Sequence, residues 1–220
     1  PDLVDQHNLK GLIWFSPPVA SLPVIVDMSK NHGIHITSVL LDYELPDNAT
    51  LTHNYVTLDR DTHGRKRAEF FLSKGQTNVA YMGCVDQTYN AFSKAMEAHG
   101  AEVSSRLLLE RTIHDVDRLV DLLKNGDITG VVSNGGMAAV AVFEAMTKFP
   151  KDAVPDVDLL LPDTKPVRAM MERYPWIRVA CLGVLPDWDY GQAAVDMLSR
   201  QIEENRDQEP RFIKSTFITL

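Results

Sequence analysis

The 220-residue sequence has only two cysteines, Cys84 and Cys181. Both lie in strand-like apolar runs, so they are expected as reduced core thiols of an intracellular protein, not as a disulfide. No apolar run approaches the ~20 residues needed to cross a bilayer. The stretch from Pro1 to Lys10 lacks the basic start and apolar core of a secretory signal. Positive charge is scarce: 22 Lys+Arg stand against 30 Asp+Glu, for a net charge of −8. A phosphate backbone is repelled by that balance, so this segment is a poor grip for nucleic acid by itself. There is no short-period repeat and no low-complexity tract.

Enzyme fingerprints are missing too. No Walker A pattern, Gly-x-Gly-x-x-Gly or Gly-x-Ser-x-Gly occurs. Ser133-Asn134-Gly135-Gly136 precedes a helical stretch, where a phosphate could bind, but no Lys lies nearby and it reads as a strand-to-helix turn. His32 and His35 are separated by Gly33, which breaks the helix that would align them on a metal. His63 stands near Asp59 and Asp61 with no partner nucleophile, and reads as a solvated first-turn histidine. The expectation is a non-enzyme without metal or cofactor.

What is present is ordinary for a globular chain: 45% hydrophobic and 24% charged residues, with 12 Gly and 12 Pro. It is too apolar for disorder and long enough to bury a core without staples. The length allows one large domain or two small lobes. Short apolar runs alternate with amphipathic stretches. Strands are expected at 9–15, 34–41, 55–58, 78–84, 103–109, 128–132, 157–161, 177–182 and 211–220. Helices are expected at 19–32, 61–72, 89–99, 114–124, 137–148, 166–174 and 187–205. Gly33, Gly75 and Gly100 suit helix ends. This β-α alternation implies an α/β fold of mostly parallel sheet flanked by helices.

In such a sheet, ligands bind at the carboxyl ends of the strands. The residues there are Ser16, Asp42, Asp59, the 84–89 loop, Asn134-Gly135, Asp163 and the 186–189 segment. Asp, Asn, Ser, Thr and aromatics dominate this rim. Such a set bonds hydroxyls and stacks on flat ligand faces, which points to a neutral polyhydroxylated ligand or a basic one. The same Asp and Asn residues also serve as helix caps.

Six motifs in order carry a family resemblance. Val56-Thr57-Leu58-Asp59 is followed by Gly64, Ala68, Leu72 and Gly75, and then by Val79-Ala80-Tyr81-Met82-Gly83. Phe92, Ala95 and Gly100 come next, then Gly130-Val131-Val132-Ser133-Asn134 with Met137-Ala138. Val154-Pro155-Asp156-Val157 precedes Asp163, and Pro186, Gly191 and Ala194 close the series. This order resembles the effector-binding domain of LacI/GalR transcription regulators, a type I periplasmic-binding-protein-like fold.

The resemblance implies two lobes joined by three crossovers, near 75–78, 183–187 and 205–211. One lobe would hold 1–76 with 187–205, and the other 77–183 with 211–220. It implies a cytoplasmic homodimer that binds a small-molecule effector, a sugar or derivative, between its lobes. Ser16, Asp59, Thr88, Tyr89, Asn134, Asp163 and Trp188 would contact that effector. DNA would be met only through an upstream helix-turn-helix.

Two departures stand out. The family's usual ligand-gripping Arg matches Thr88 here, and the Asp of its Asn-Asp pair matches Gly135. Set against the resemblance, the family's opening strand-helix-strand unit is expected to be missing before Leu9. A solute-binding protein of a sugar importer, sharing the fold, is the alternative reading; an enzyme on the same sheet is a third.

Overall fold

A computed structural model describes residues 8–17, 21–40, 54–101, 108–109, 113–185, 187–206 and 208–220. In chain order the elements are β1 (Gly11–Phe15), α1 (Leu22–His32), β2 (His35–Leu40), β3 (Asn54–Leu58), α2 (Arg60–Leu72), β4 (Val79–Met82), α3 (Gln87–Glu97), β5 (Leu108–Leu109), α4 (Ile113–Lys124), β6 (Gly130–Ser133), α5 (Gly136–Met146), β7 (Asp158–Pro162), α6 (Lys165–Arg173), β8 (Cys181–Val184), α7 (Asp187–Glu204), β9 (Arg211–Ile213) and β10 (Thr216–Thr219). The β-α alternation read from the sequence is the architecture observed.

The chain forms two compact units, Pro1–Asp59 with Pro186–Lys214 and Arg60–Leu185 with Ser215–Leu220. The first contains a parallel sheet of order β1-β2-β3-β9. Gly11 faces α7 so closely that a Cβ there would lie 2.8 Å from Leu198 Cδ1. Tyr190, Ala193, Ala194 and Met197 of α7 pack with Val39, Val56 and Leu58. The small alanines let the helix approach the sheet. At the end of α1, Gly33 takes φ 63° and closes the helix.

The second unit holds a six-stranded sheet of order β10-β8-β7-β6-β4-β5, parallel except for the β10–β8 pair. Its inner strands β4, β6, β7 and β8 are almost wholly buried, with both faces covered, whereas the edge strand β10 is largely exposed. Ala80, Met82, Val131, Leu159 and Leu161 face one core with Leu119 of α4 and Phe143 of α5. Val79, Tyr81, Val132, Leu160 and Cys181 face the other with Phe71 of α2 and Phe92 of α3. Each fully buried side chain of this size contributes roughly 1.5–3 kcal/mol of transfer free energy.

Four expectations are corrected. The expected lobe boundary near 75–78 lies instead at Asp59/Arg60, and α2 belongs with the second unit. The reason is packing: Gly64, Ala68 and Phe71 are buried against that unit's elements. A Cβ on Gly64 would lie 2.3 Å from Thr88 O, so α2 and α3 cross nearly backbone to backbone. The expected final strand over 211–220 is two strands: β9 pairs with β3 in the first unit, and β10 pairs with β8 in the second. The break falls at Lys214 and Ser215, where the chain passes between units. The strand expected at 177–182 is hydrogen-bonded as Cys181–Val184. Cys84 is exposed, because β4 ends at Met82 and Gly83 turns the chain out with φ 154°; Cys181 is buried, and both thiols are free.

Candidate functional site

On the rim of the second unit, the loops after β4 and β6 meet. Gly83 makes this possible, since a Cβ there would lie 2.8 Å from Asn134 Cβ. Asp86 caps α3, its Oδ1 accepting from Tyr89 N at 2.8 Å. Its Oδ2 accepts from Asn134 Nδ2 at 2.7 Å. Asn134 Oδ1 accepts in turn a long contact, 3.5 Å, from Arg67 Nη1. Arg60 Nη1 lies 3.7 Å from Asp86 Oδ2. The rim thus holds a cation, an amide, an anion and a second cation in series.

Arg67 is almost wholly buried, at 2% exposure. Burial lowers its pKa, while the Tyr81 hydroxyl and the Asp86 charge work to keep it protonated. Tyr81 lies beside the guanidinium, yet neither Tyr81 Oη nor Arg67 Nε completes a hydrogen bond of ordinary geometry. Burial pushes the Tyr81 phenol upward, against the pull of Arg67.

Of the residues expected on this rim, Asn134 is half-buried and held as described. Tyr89 is half-buried, its ring edge-on to Tyr81 at 4.9 Å. Thr88 is fully buried, in the first turn of α3 beside Gly64, and its hydroxyl presents nothing to solvent. Asp163 follows β7 and accepts two hydrogen bonds from Arg168, Nε at 2.6 Å and Nη2 at 2.8 Å. Those bonds hold its carboxyl below the usual range.

The first unit positions the others. Ser16 adopts φ 42° just past β1 and donates its N–H to Val39 O at 2.8 Å. Asp59, just past β3, donates its N–H to Ile213 O at 2.8 Å. Trp188 stands 81% exposed in the first turn of α7. Beside it, Ile13, Phe15, Gly191, Gln192 and Val195 line an apolar hollow of about 310 Å³. Asp42 and Pro186 lie outside the described residues.

His63 is corrected. It is 3% exposed, not solvated, with Nδ1 2.5 Å from Ser215 Oγ and its ring stacked 5.3 Å from Phe217. Burial, with the charges of Arg67, Arg60 and Lys66, lowers its pKa to about 2. The neutral ring is the only form this site holds at ordinary pH.

Sequence reasoning missed Arg60 and Arg67 and did not single out Asp86. A signal for Arg67 exists: it falls on the same helical stripe as Gly64, Ala68 and Phe71, at i, i+3, i+4 and i+7. Among the described residues, no group of three or more His, Cys, Asp or Glu is placed to hold a metal ion. No described helix is long and apolar enough to cross a membrane.

No protein-family model matches the sequence, and no curated protein matches it. Solved structures do match. A regulatory protein of the LacI family from Chloroflexus aggregans superimposes with TM-score 0.74 at 15% identity, over 99% of this chain and 78% of that one. The fold is LacI-type and periplasmic-binding-protein-like. The transcription regulator CcpA of Lactococcus lactis gives TM-score 0.68 at 15% identity, over 99% and 79% of the two chains. A glucose-galactose binding protein from Geobacillus stearothermophilus gives 0.72 at 17% identity, over 99% and 79%. At such identities the LacI-type match concerns the fold.

Proposed function

We propose that this chain is the effector-sensing domain of a LacI-type transcription regulator, binding a small polar ligand of the sugar class. The whole-chain likeness to LacI-family regulators carries the reading. The rim chemistry supports it. Asn134 and Asp163 stand at the carboxyl ends of parallel strands, where such folds receive ligands. Tyr89 adds a half-buried ring on the same unit, and the resemblance would add Ser16, Asp59 and Trp188, which belong to the first unit. Thr88 offers no side-chain contact while buried, and is dropped from the ligand set. The protein would act in the cytoplasm as a homodimer, with DNA contact through an upstream helix-turn-helix. Its work is binding with a change of population between conformers, not catalysis.

Calorimetry with D-glucose, D-galactose, D-ribose and cellobiose tests the reading. Binding of one of them, weakened on the order of tenfold by Asn134→Ala and by Asp163→Ala, is the expected result. No heat with any of them overturns a sugar effector of this kind, and unchanged affinity in both variants moves the site elsewhere.

The second reading is a solute-binding component of a sugar importer. The likenesses to the glucose-galactose binding protein and to a subunit of a sugar transporter from Rhodobacter sphaeroides favour it. The upstream coding sequence separates the two: a helix-turn-helix for the regulator, a signal peptide or lipoprotein cysteine for the importer.

A further inference from the structure

We propose that Arg67 is a positioning residue for the effector site, setting the orientation of the Asn134 carboxamide together with Asp86. The inference rests on the reading that Asn134 contacts the effector. Asn134 points its oxygen at a cation, Arg67 Nη1, and its amide nitrogen at an anion, Asp86 Oδ2. Turned over, the amide would set NH₂ against a guanidinium and oxygen against a carboxylate, which is unfavourable on both sides. The charges therefore choose one of the two rotations. One N–H and one lone pair of the amide remain in a fixed order for an incoming hydroxyl group.

Core packing alone does not explain Arg67. It occupies the apolar stripe of α2, nearly out of solvent, and its side-chain contact at the rim is with an amide oxygen, Asn134 Oδ1. A buried charge of this kind is costly, and an apolar side chain of similar length would fill the space without the penalty. What arginine adds is a donor that reaches the rim from beneath. Asp86 is the other jaw, and it is held on its own account by capping α3. Neither residue occupies the positions where the family pattern carries its Arg and Asp. Thr88 and Gly135 stand there, and α2 and the β4 loop supply the charges instead.

The test uses the full chain labelled with ¹⁵N-asparagine. The Asn134 side-chain amide is assigned by its loss in Asn134→Ala. In the wild type its two protons are expected well separated and slow to exchange. Arg67→Met and Asp86→Asn should each move the pair toward free-asparagine positions, and Arg67→Lys should restore most of the wild-type pattern. Binding of D-galactose or D-glucose should weaken by about tenfold in Arg67→Met and recover to within about threefold in Arg67→Lys. A merely structural arginine would lower the melting temperature without moving the Asn134 amide, and that result overturns the proposal. Should Arg67→Met fail to fold, Asp86→Asn and Arg67→Lys decide it by the same resonance. If the wild type binds none of D-glucose, D-galactose, D-ribose and cellobiose, the effector reading falls on its own, while the amide resonance still settles whether Arg67 orients Asn134.

Discussion

The buried histidine makes a quantitative prediction. His63 has an unfolded-state pKa near 6.5 and a folded-state value of about 2, because burial and three neighbouring cations exclude the proton. A base with a depressed folded pKa binds more protons when unfolded, so stability rises with pH through the window between the two values. The contribution is complete above about pH 6.5 and drains away as pH falls toward 2. Each pH unit below 6.5 costs roughly 1.4 kcal/mol, so lowering pH from 7 to 5 should destabilise the second unit by about 2 kcal/mol through this residue alone. His63→Gln removes the titration and keeps a group that can meet Ser215 Oγ. The assay is urea unfolding at pH 7 and pH 5, followed by Trp176, which packs edge-on to Tyr174 at 5.4 Å in the second unit. A Trp14→Phe/Trp188→Phe background silences the first unit. The wild type should lose about 2 kcal/mol more than the variant between the two pH values. Asp158 and Asp163, with lowered pKa values, titrate below this window and cancel in the comparison. Equal losses in the two proteins would refute the burial argument.

Two further outcomes are expected. Gly64→Ala gains up to ~1 kcal/mol of helix propensity, but its Cβ would stand 2.3 Å from Thr88 O, a backbone atom that cannot swing aside; a net loss of roughly 2 kcal/mol or more in urea melts is expected, and an unchanged midpoint would show that α2 and α3 cross less closely. A thiol reagent should modify Cys84 rapidly and Cys181 only after unfolding, because burial raises the Cys181 thiol while Cys84 is exposed; two fast thiols in the native protein would contradict the register of β8.

These predictions divide along a line that also separates what the sequence reveals from what it hides. Residues 79–82 are legible as a strand because every one is apolar and both faces of the sheet are covered. The same apolar run continues through Cys84, and nothing in residue type shows that the hydrogen-bonded ladder stops at Met82. The final decapeptide is strand-prone throughout, with no Gly or Pro at Lys214-Ser215 to announce a change of sheet. The stripe of α2 says that the helix is buried, but periodicity does not name the sheet that buries it. His63 is hidden for a related reason: its partners Ser215 and Phe217 are more than 150 residues away, while the charged Asp61 and Arg65 stand two residues to either side of it in sequence.

The rim shows the same division at the level of chemistry. Asn134 and Asp163 are readable because strand ends before helices are local features, and the structure places both there. Their partners differ in kind. Arg168 lies five residues from Asp163 and closes a pair within one loop and helix start. Arg67 reaches Asn134 from 67 residues upstream, out of a helix that the spacing marks as core. A charge on an apolar stripe costs free energy unless something at its far end uses it. Such a residue is therefore the one place on a buried helix where a sequence points beyond packing, even before the loop it serves is known.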